Sequence, residues 1–335
     1  WEPILDRGRV IGLKGRGAHR GASVSLEPAG QFELSGGMLQ TLHETRDELA
    51  AHFEALRRAA GPLGLGFAPL GFHPTMRRAE MPWMPKSRYA IMRRYMERVG
   101  TLGHDMMLRT CTVQVNLDYS SEADMARKLR VSLALQPVAT ALFANSPFVE
   151  GKPSGFRSMR AQVWTDVDPA RTGIPDVVFE PGFGFERFVE WVLDVPMYFV
   201  MRNGKWLDAA GMSFRAFMAG RLGDGLAGER ATVGDFADHV TTAFTDVRLK
   251  RFLEMRGADG GPWKRLCALP ALWVGLLYEG SALDAAWDLV KDWDHETRES
   301  WRREAGIHAL DAQVNGVRMH DLARRVVEIA EQGLK

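Results

Sequence analysis

The sequence predicts an α+β protein, and three observations carry that prediction. Thr110 to Tyr119 alternates with a period of two: Thr110, Thr112, Gln114, Asn116 and Asp118 on one side, Cys111, Val113, Val115, Leu117 and Tyr119 on the other. Two further stretches, Ser23 to Ser35 and Arg248 to Arg256, repeat the pattern with carboxylates, amides and arginine on the polar face. Long segments with apolar stripes at helical spacing separate the three. If the strands share a sheet, its polar face is no ordinary core. It reads as the floor of an open cup with helices packed behind it.

The 335 residues carry a formal net charge of +1 and suffice for a large core. That balance, with no Lys/Arg stripe, argues against nucleic acid as a partner. The longest apolar segment, Leu266 to Tyr278, is too short to span a membrane and contains Pro270. Two cysteines, Cys111 and Cys267, fit a reducing, cytoplasmic setting rather than a disulfide scaffold.

In chain order, Val10 to Leu13 is a short apolar run, followed by a basic glycine-rich loop whose spacing matches no phosphate-binding fingerprint. Ser23 to Ser35 reads as a strand bent at Pro28 and Gly30. Met38 to Ala60 is a helix with Leu39, Leu42, Leu49, Phe53 and Leu56 inward, ended by Gly61-Pro62. Leu63 to Phe72 reads as a buried strand, and Lys86 to Val99 as a helix. Ser121 caps the helix after the central strand, and Pro137 should kink it. Arg157 and Arg160 follow in Phe156 to Trp164, with Arg157 a surface residue. Asn203-Gly204 marks a hairpin with a type I′ turn. Ser213 to Gly220 and Val233 to Phe244 are helices, and from Trp263 the chain is helical.

The chemistry lies on the polar faces. Neighbouring carboxylates such as Glu27 and Glu33 repel unless a proton or cation intervenes, which suggests a divalent metal with hard oxygen ligands. Taken alone, these two are better read as solvated surface residues. A Glu254–Arg256 pair is likewise, by itself, a surface salt bridge of small worth. Gathered in one cup, carboxylates bind Mg²⁺, Mg²⁺ brings phosphates, and an adjacent arginine points to phosphoryl transfer.

Several long motifs then resemble the plant and alphaproteobacterial glutamate–cysteine ligase family. They include Ser25-Leu-Glu-Pro-Ala-Gly-Gln-Phe-Glu-Leu-Ser-Gly36, Asp105-Met-Met-Leu-Arg-Thr-Cys-Thr-Val-Gln-Val-Asn-Leu-Asp118 and Arg248-Leu-Lys-Arg-Phe-Leu-Glu-Met-Arg-Gly-Ala-Asp-Gly-Gly261. The likeness runs from Trp1 to about Ala285 and weakens beyond it. It implies a single glutamine-synthetase-like catalytic domain over residues 1–335. The implied reaction joins the γ-carboxylate of glutamate to cysteine at the expense of ATP, through γ-glutamyl phosphate, as the first step of glutathione biosynthesis. The implied metal positions are Glu33, Gln114 and Glu254, with Glu27 beside them. Arg256 is implied as a phosphate contact with Gln31 nearby, and Arg160 as a binder of the glutamate α-carboxylate or the phosphoryl group. Thr112, Asn116 and Trp164 are implied substrate-pocket positions. The family carries a further acidic strand upstream of the segment matching Trp1, so a cup short of one wall is expected here. Arg46 stands where the plant enzymes have a regulatory cysteine, which leaves Cys267 without that partner. Another carboxylate–amine ligase of the same fold, or a nucleotide-binding remnant without turnover, are the alternatives. Glu254→Gln is expected to abolish turnover with little loss of folding.

Overall fold

The alternating segments form strands, but in two separate sheets rather than one, and two of the three segments are hairpins. This is seen in a computed structural model that describes residues 1–223 and 225–335. The first sheet is an antiparallel meander of β1 (Glu2–Asp6), β2 (Arg9–Lys14), β3 (Ser23–Leu26) and β4 (Phe32–Ser35). Ser23 to Ser35 is therefore two strands and not one bent strand. Glu27 N–H donates to Gln31 O and Gly30 N–H to Glu27 O, each at 2.8 Å. Gly30 sits at φ +90°, where only glycine rests without strain. Pro28 followed by glycine at this position builds a three-residue hairpin loop, a reading that parity alone could not supply.

Helix α1 (Leu42–Ala60) starts four residues later than expected, at a capping box in which Thr41 and Glu44 satisfy each other's backbone donors. Its apolar stripe is only half covered, and Ala60 is its one buried residue. Leu63 to Phe72 is not a buried strand: Leu63, Leu65 and Phe67 lie exposed, and only Phe72 bridges to Thr110. Helices α2 (Ser87–Val99) and α3 (Gly103–Arg109) lead into β5 (Thr112–Leu117). Helix α4 (Glu122–Phe143) is capped by Ser121 and runs through Pro137 as one assigned helix.

The second sheet is Val247–Leu249, Leu253–Asp259 and β5, in that spatial order. Arg248 to Arg256 is thus also a hairpin, with Arg248 opposite Glu254. The alternation of β5 is realised: Val115 and Leu117 are buried while Asn116 is exposed. The apolar face of this sheet, including Val247, Leu253 and Met255, packs with α4 and the C-terminal helices into the main core. The helices behind it include Ala268–Leu277, His295–His308 and Met319–Gly333. Among the described residues no single helix is long and apolar enough to cross a membrane. The Asn203-Gly204 turn is as expected, with both residues at positive φ between Phe199–Arg202 and Lys205–Asp208.

Candidate functional site

Three structural devices bring the polar faces together, and the β3–β4 loop is the first. Glu27 opens the loop directly after β3, where its carboxylate accepts from Ser25 Oγ at 3.0 Å and meets Lys86 Nζ at 3.3 Å. Lys86 is buried at the start of α2 and also lies over the Tyr89 ring. Glu33 projects from β4. Water reaches it, yet protein surrounds it closely enough that desolvation is the first cause raising its pKa. The Glu27 carboxylate raises it further and Glu254 adds to the rise, while Arg256 and Lys86 oppose. Glu33 thus senses residues of both sheets.

Gln31 does something else. Its amide oxygen accepts from Ala29 N–H at 2.8 Å, and its nitrogen donates to Met107 O at 3.1 Å and Thr110 O at 3.3 Å. It pins the hairpin loop to the junction of α3 and β5. The amide is occupied with backbone here, which gives Gln31 a positioning role in the free protein in place of the nucleotide contact expected of it.

The 247–259 hairpin is the second device. Glu254 is almost fully buried, and each of its oxygens is engaged. Oε2 accepts from Arg248 Nε and Arg256 Nη1, both at 2.7 Å, and Oε1 from Lys250 Nζ at 3.0 Å. Burial alone would raise the Glu254 pKa; Arg256, Arg248 and Lys250 outweigh it and hold it at about 2. For Arg248, burial and the neighbouring Arg256 lower the pKa to about 10 against the pull of Glu254. The pair is no surface salt bridge. Removing the carboxylate would leave buried cations facing one another, which argues against the expectation that Glu254→Gln costs little in folding.

The third device is a bulge beside β5. Met255 pairs with Val115 and Ala258 with Val113, so Arg256 and Gly257 together oppose Gln114. A bulge re-aims the side chain it carries, and here that chain is Arg256. Buried groups fix its carbonyls. Arg160 donates to Arg256 O at 2.5 Å and to Gly257 O at 3.3 Å. Thr112 Oγ1 lies 2.7 Å from Ala258 O, and Thr140 Oγ1 lies 3.0 Å from Gly257 O. Gly257 must be glycine because an added Cβ would come within 2.2 Å of Gln136 Oε1, the acceptor of its own N–H. Asp259 closes the strand by accepting from Asn145 N–H and from the Ser146 and Ser158 hydroxyls.

Behind Arg256 lies a niche lined by Arg160, Trp164, Phe244, Asp246 and Arg302, of about 30 Å³. That is water-sized, far below what an amino acid needs. Of the expected substrate positions, Arg160 and Trp164 line this niche while Thr112 and Asn116 lie outside it, and the Arg256 guanidinium is 5.8 Å from the Trp164 ring. Arg160 Nε and Trp164 Nε1 are buried and find no acceptor among the described residues. Two orphaned donors in one niche fit an incoming oxygen acceptor. Burial lowers the Arg160 pKa to about 10, which leaves it charged at neutral pH.

Of the expected metal positions, Glu33 lies within electrostatic reach of Glu254 and of Glu27, and the expected phosphate contact Arg256 is within the same reach. Gln114 is half-buried opposite the bulge, and Asn116 is exposed opposite Glu254. Among the described residues no cluster of three or more His, Cys, Asp or Glu is closed up as a metal cage. The chemistry of Glu27, Glu33 and Gln114 still fits a hard divalent cation, because Glu33 is raised by carboxylates that a cation would relieve. Glu254 joins that set only if its cations let go.

Sequence reasoning missed Arg248, Lys86 and Arg302 and gave Lys250 no role. Placing Arg248 on Glu254 required recognising the hairpin, and Lys86 and Arg302 arrive from helices whose docking no local pattern announces. Arg302 pairs with Asp246 at 3.0 Å and donates to Trp164 O at 3.0 Å. Cys111 stands beside Arg160 and Glu33, and burial pushes its thiol up to about 11.

The sequence matches the family model described as glutamate-cysteine ligase family 2 over residues 4–335, so the likeness reaches past Ala285 to the last residue. It is 54% identical over all 335 of its residues to the chloroplastic glutamate–cysteine ligase of Brassica juncea, spanning 64% of that protein. Identity to the Arabidopsis thaliana protein of the same name is 54%, with 63% of its length spanned. For glutamate–cysteine ligase B of Oryza sativa subsp. japonica the values are 53% and 66%. The chain thus spans a little under two thirds of the curated relatives it matches. The chain belongs to glutamate-cysteine ligase family 2.

Proposed function

We propose that the chain is the catalytic portion of an ATP-dependent carboxylate–amine ligase that joins the γ-carboxylate of glutamate to cysteine, the first step of glutathione biosynthesis. A γ-carboxylate oxygen attacks the terminal phosphorus of ATP and ADP leaves, which gives γ-glutamyl phosphate. The cysteine amine then attacks the acyl carbon, phosphate departs, and the nitrogen loses a proton. No enzyme nucleophile is needed; positioning and charge neutralisation carry the reaction.

The observation that carries this reading is the opposition of acidic Glu33 to the cationic hairpin around Glu254. We read the two sheets as walls of a glutamine-synthetase-like cup. Glu33 and Gln114, with Glu27 and a released Glu254, would hold Mg²⁺, which when bound neutralises phosphate charge. Arg256 meets the transferred phosphoryl group. Arg160 and Trp164 offer their orphaned donors to a carboxylate once Arg256 swings off the niche. Asn116, exposed opposite Glu254, and Thr112, which fixes the bulge, are the remaining substrate positions in this reading.

The test is phosphate release from ATP, measured on the full-length gene product and on residues 1–335 in parallel. Release that needs both glutamate and cysteine is the expected result. Glutamate-dependent release indifferent to cysteine would move the acceptor to another amine, and nucleotide binding without release would overturn the ligase reading.

A further inference from the structure

We propose that Arg248 and Lys250 bind the polyphosphate of the nucleotide together with Arg256, and that Glu254 is their stand-in counter-anion when no nucleotide is bound. The inference rests on the ligase reading for the identity of the ligand, and on the geometry of the hairpin for the residues.

Glu254 Oε2 lies 2.6 Å from Arg248 Nη2 and 2.7 Å from Arg256 Nη1, while Oε1 lies 3.0 Å from Lys250 Nζ. No other carboxylate among the described residues pairs with any of these cations. One negative charge thus faces three positive ones. A carboxylate has about four acceptor sites, so Glu254 is saturated while the arginines keep unused N–H groups. This is a donor surplus, and a chain of phosphates is the ligand class that fills several cationic donors at once.

The cations are held in place by more than Glu254. Arg248 Nη1 donates to Thr241 O at 2.9 Å. Lys250 occupies the hairpin turn, where its N–H donates to Phe252 O at 2.8 Å and its own carbonyl accepts from Tyr119 Oη at 2.8 Å. Its ammonium lies 5.1 Å from the centre of the Phe252 ring, and Arg256 lies over Trp164. Aromatic faces on one side leave the other free for an anion. A polyphosphate arriving there takes over the cations and frees the Glu254 carboxylate to turn toward Glu33 and Gln114. Glu254 then serves in two states, first as counter-ion and afterwards as part of the acidic set.

The test uses inorganic tripolyphosphate as probe, titrated calorimetrically into the folded chain without divalent metal. Lys250 is the accessible member of the cluster, with 29% of its side chain exposed, so Lys250→Gln should fold as the parent does. It is expected to weaken tripolyphosphate binding about tenfold, the scale of one charge-assisted contact. Glu254→Gln, which removes the competing anion, is expected to bind tripolyphosphate about tenfold more tightly although it destroys ligation. A purely structural role for the cluster would not produce that opposite sign. Unchanged affinity in Lys250→Gln, or weaker binding in folded Glu254→Gln, would overturn the proposal. A parent protein that binds tripolyphosphate but releases no phosphate with the amino acids would sink the ligase reading and leave this one standing. An active ligase with Lys250→Gln binding unaltered would do the reverse.

Discussion

Glu33 and Glu254 are the same residue type in two different sheets, within electrostatic reach of each other, and their surroundings are opposite. Glu33 has carboxylates for company and is pushed up by burial, Glu27 and Glu254. Glu254 is more deeply buried, yet three cations hold it at about 2. On one side Lys86 alone is paired with the acidic residues, through Glu27, and on the hairpin Glu254 alone is paired with three cations. Each imbalance is costly alone and each is relieved by the opposite half of a metal–polyphosphate complex, which is how a site selects a ligand carrying both signs. The same comparison predicts that ionised Glu254 stabilises the free protein at neutral pH and ionised Glu33 does not.

Breaking the hairpin wall should have the largest effect. Glu254→Gln is expected to lower unfolding free energy by about 3 kcal/mol, the cost of leaving buried cations unpaired, read by urea denaturation at neutral pH. Its pH dependence follows from the sign of the shift. A depressed carboxyl contributes stability that is fully present above the unfolded pKa and is lost as pH falls toward about 2. The parent should therefore lose this increment in acid, and the variant should show no such loss. Gly257→Ala comes next. It drives a Cβ into Gln136, and moving that buried side chain should cost about 2 kcal/mol, with phosphate release falling as Arg256 loses its aim. Gln31→Ala should cost about 1 kcal/mol by unpinning the β3–β4 loop, with weakened ligation but a folded protein, checked by denaturation beside activity.

Glu33→Gln sharpens the contrast by its sign. A raised carboxyl favours the folded state while protonated and loses that advantage as pH rises through the folded pKa, above the ordinary carboxylate range. At neutral pH its ionised form is the less comfortable one. Glu33→Gln is therefore expected to raise the denaturation midpoint slightly while abolishing phosphate release. A fall in stability would mean that Glu33 has a cationic partner in the free protein.

Much of the site was legible because strand periodicity is local. Alternation placed Gln114 and Asn116 on the polar side of β5 and Val115 and Leu117 in the core, as found. Periodicity failed where the chain reversed. Pro28 with Gly30, and residues 250–252, turn apparent single strands into hairpins, and parity does not survive a turn. That error placed Lys250 and Glu254 on one continuous strand when they meet across a turn, and it hid the Arg248–Glu254 pairing. Leu63, Leu65 and Phe67 misled in another way, since apolar composition says nothing of whether a surface arrives to cover them. The role of Gln31 was illegible because its partners, Met107 and Thr110, lie far along the chain.

The opposition of the two glutamates is tested most directly by titrating the side-chain carboxyl carbons of ¹³C-labelled glutamate by NMR, with Glu33→Gln and Glu254→Gln used for assignment. The account predicts one resonance titrating above the ordinary carboxylate range that vanishes in Glu33→Gln, and another near about 2 that vanishes in Glu254→Gln. Two carboxyls titrating together in the ordinary range would contradict it.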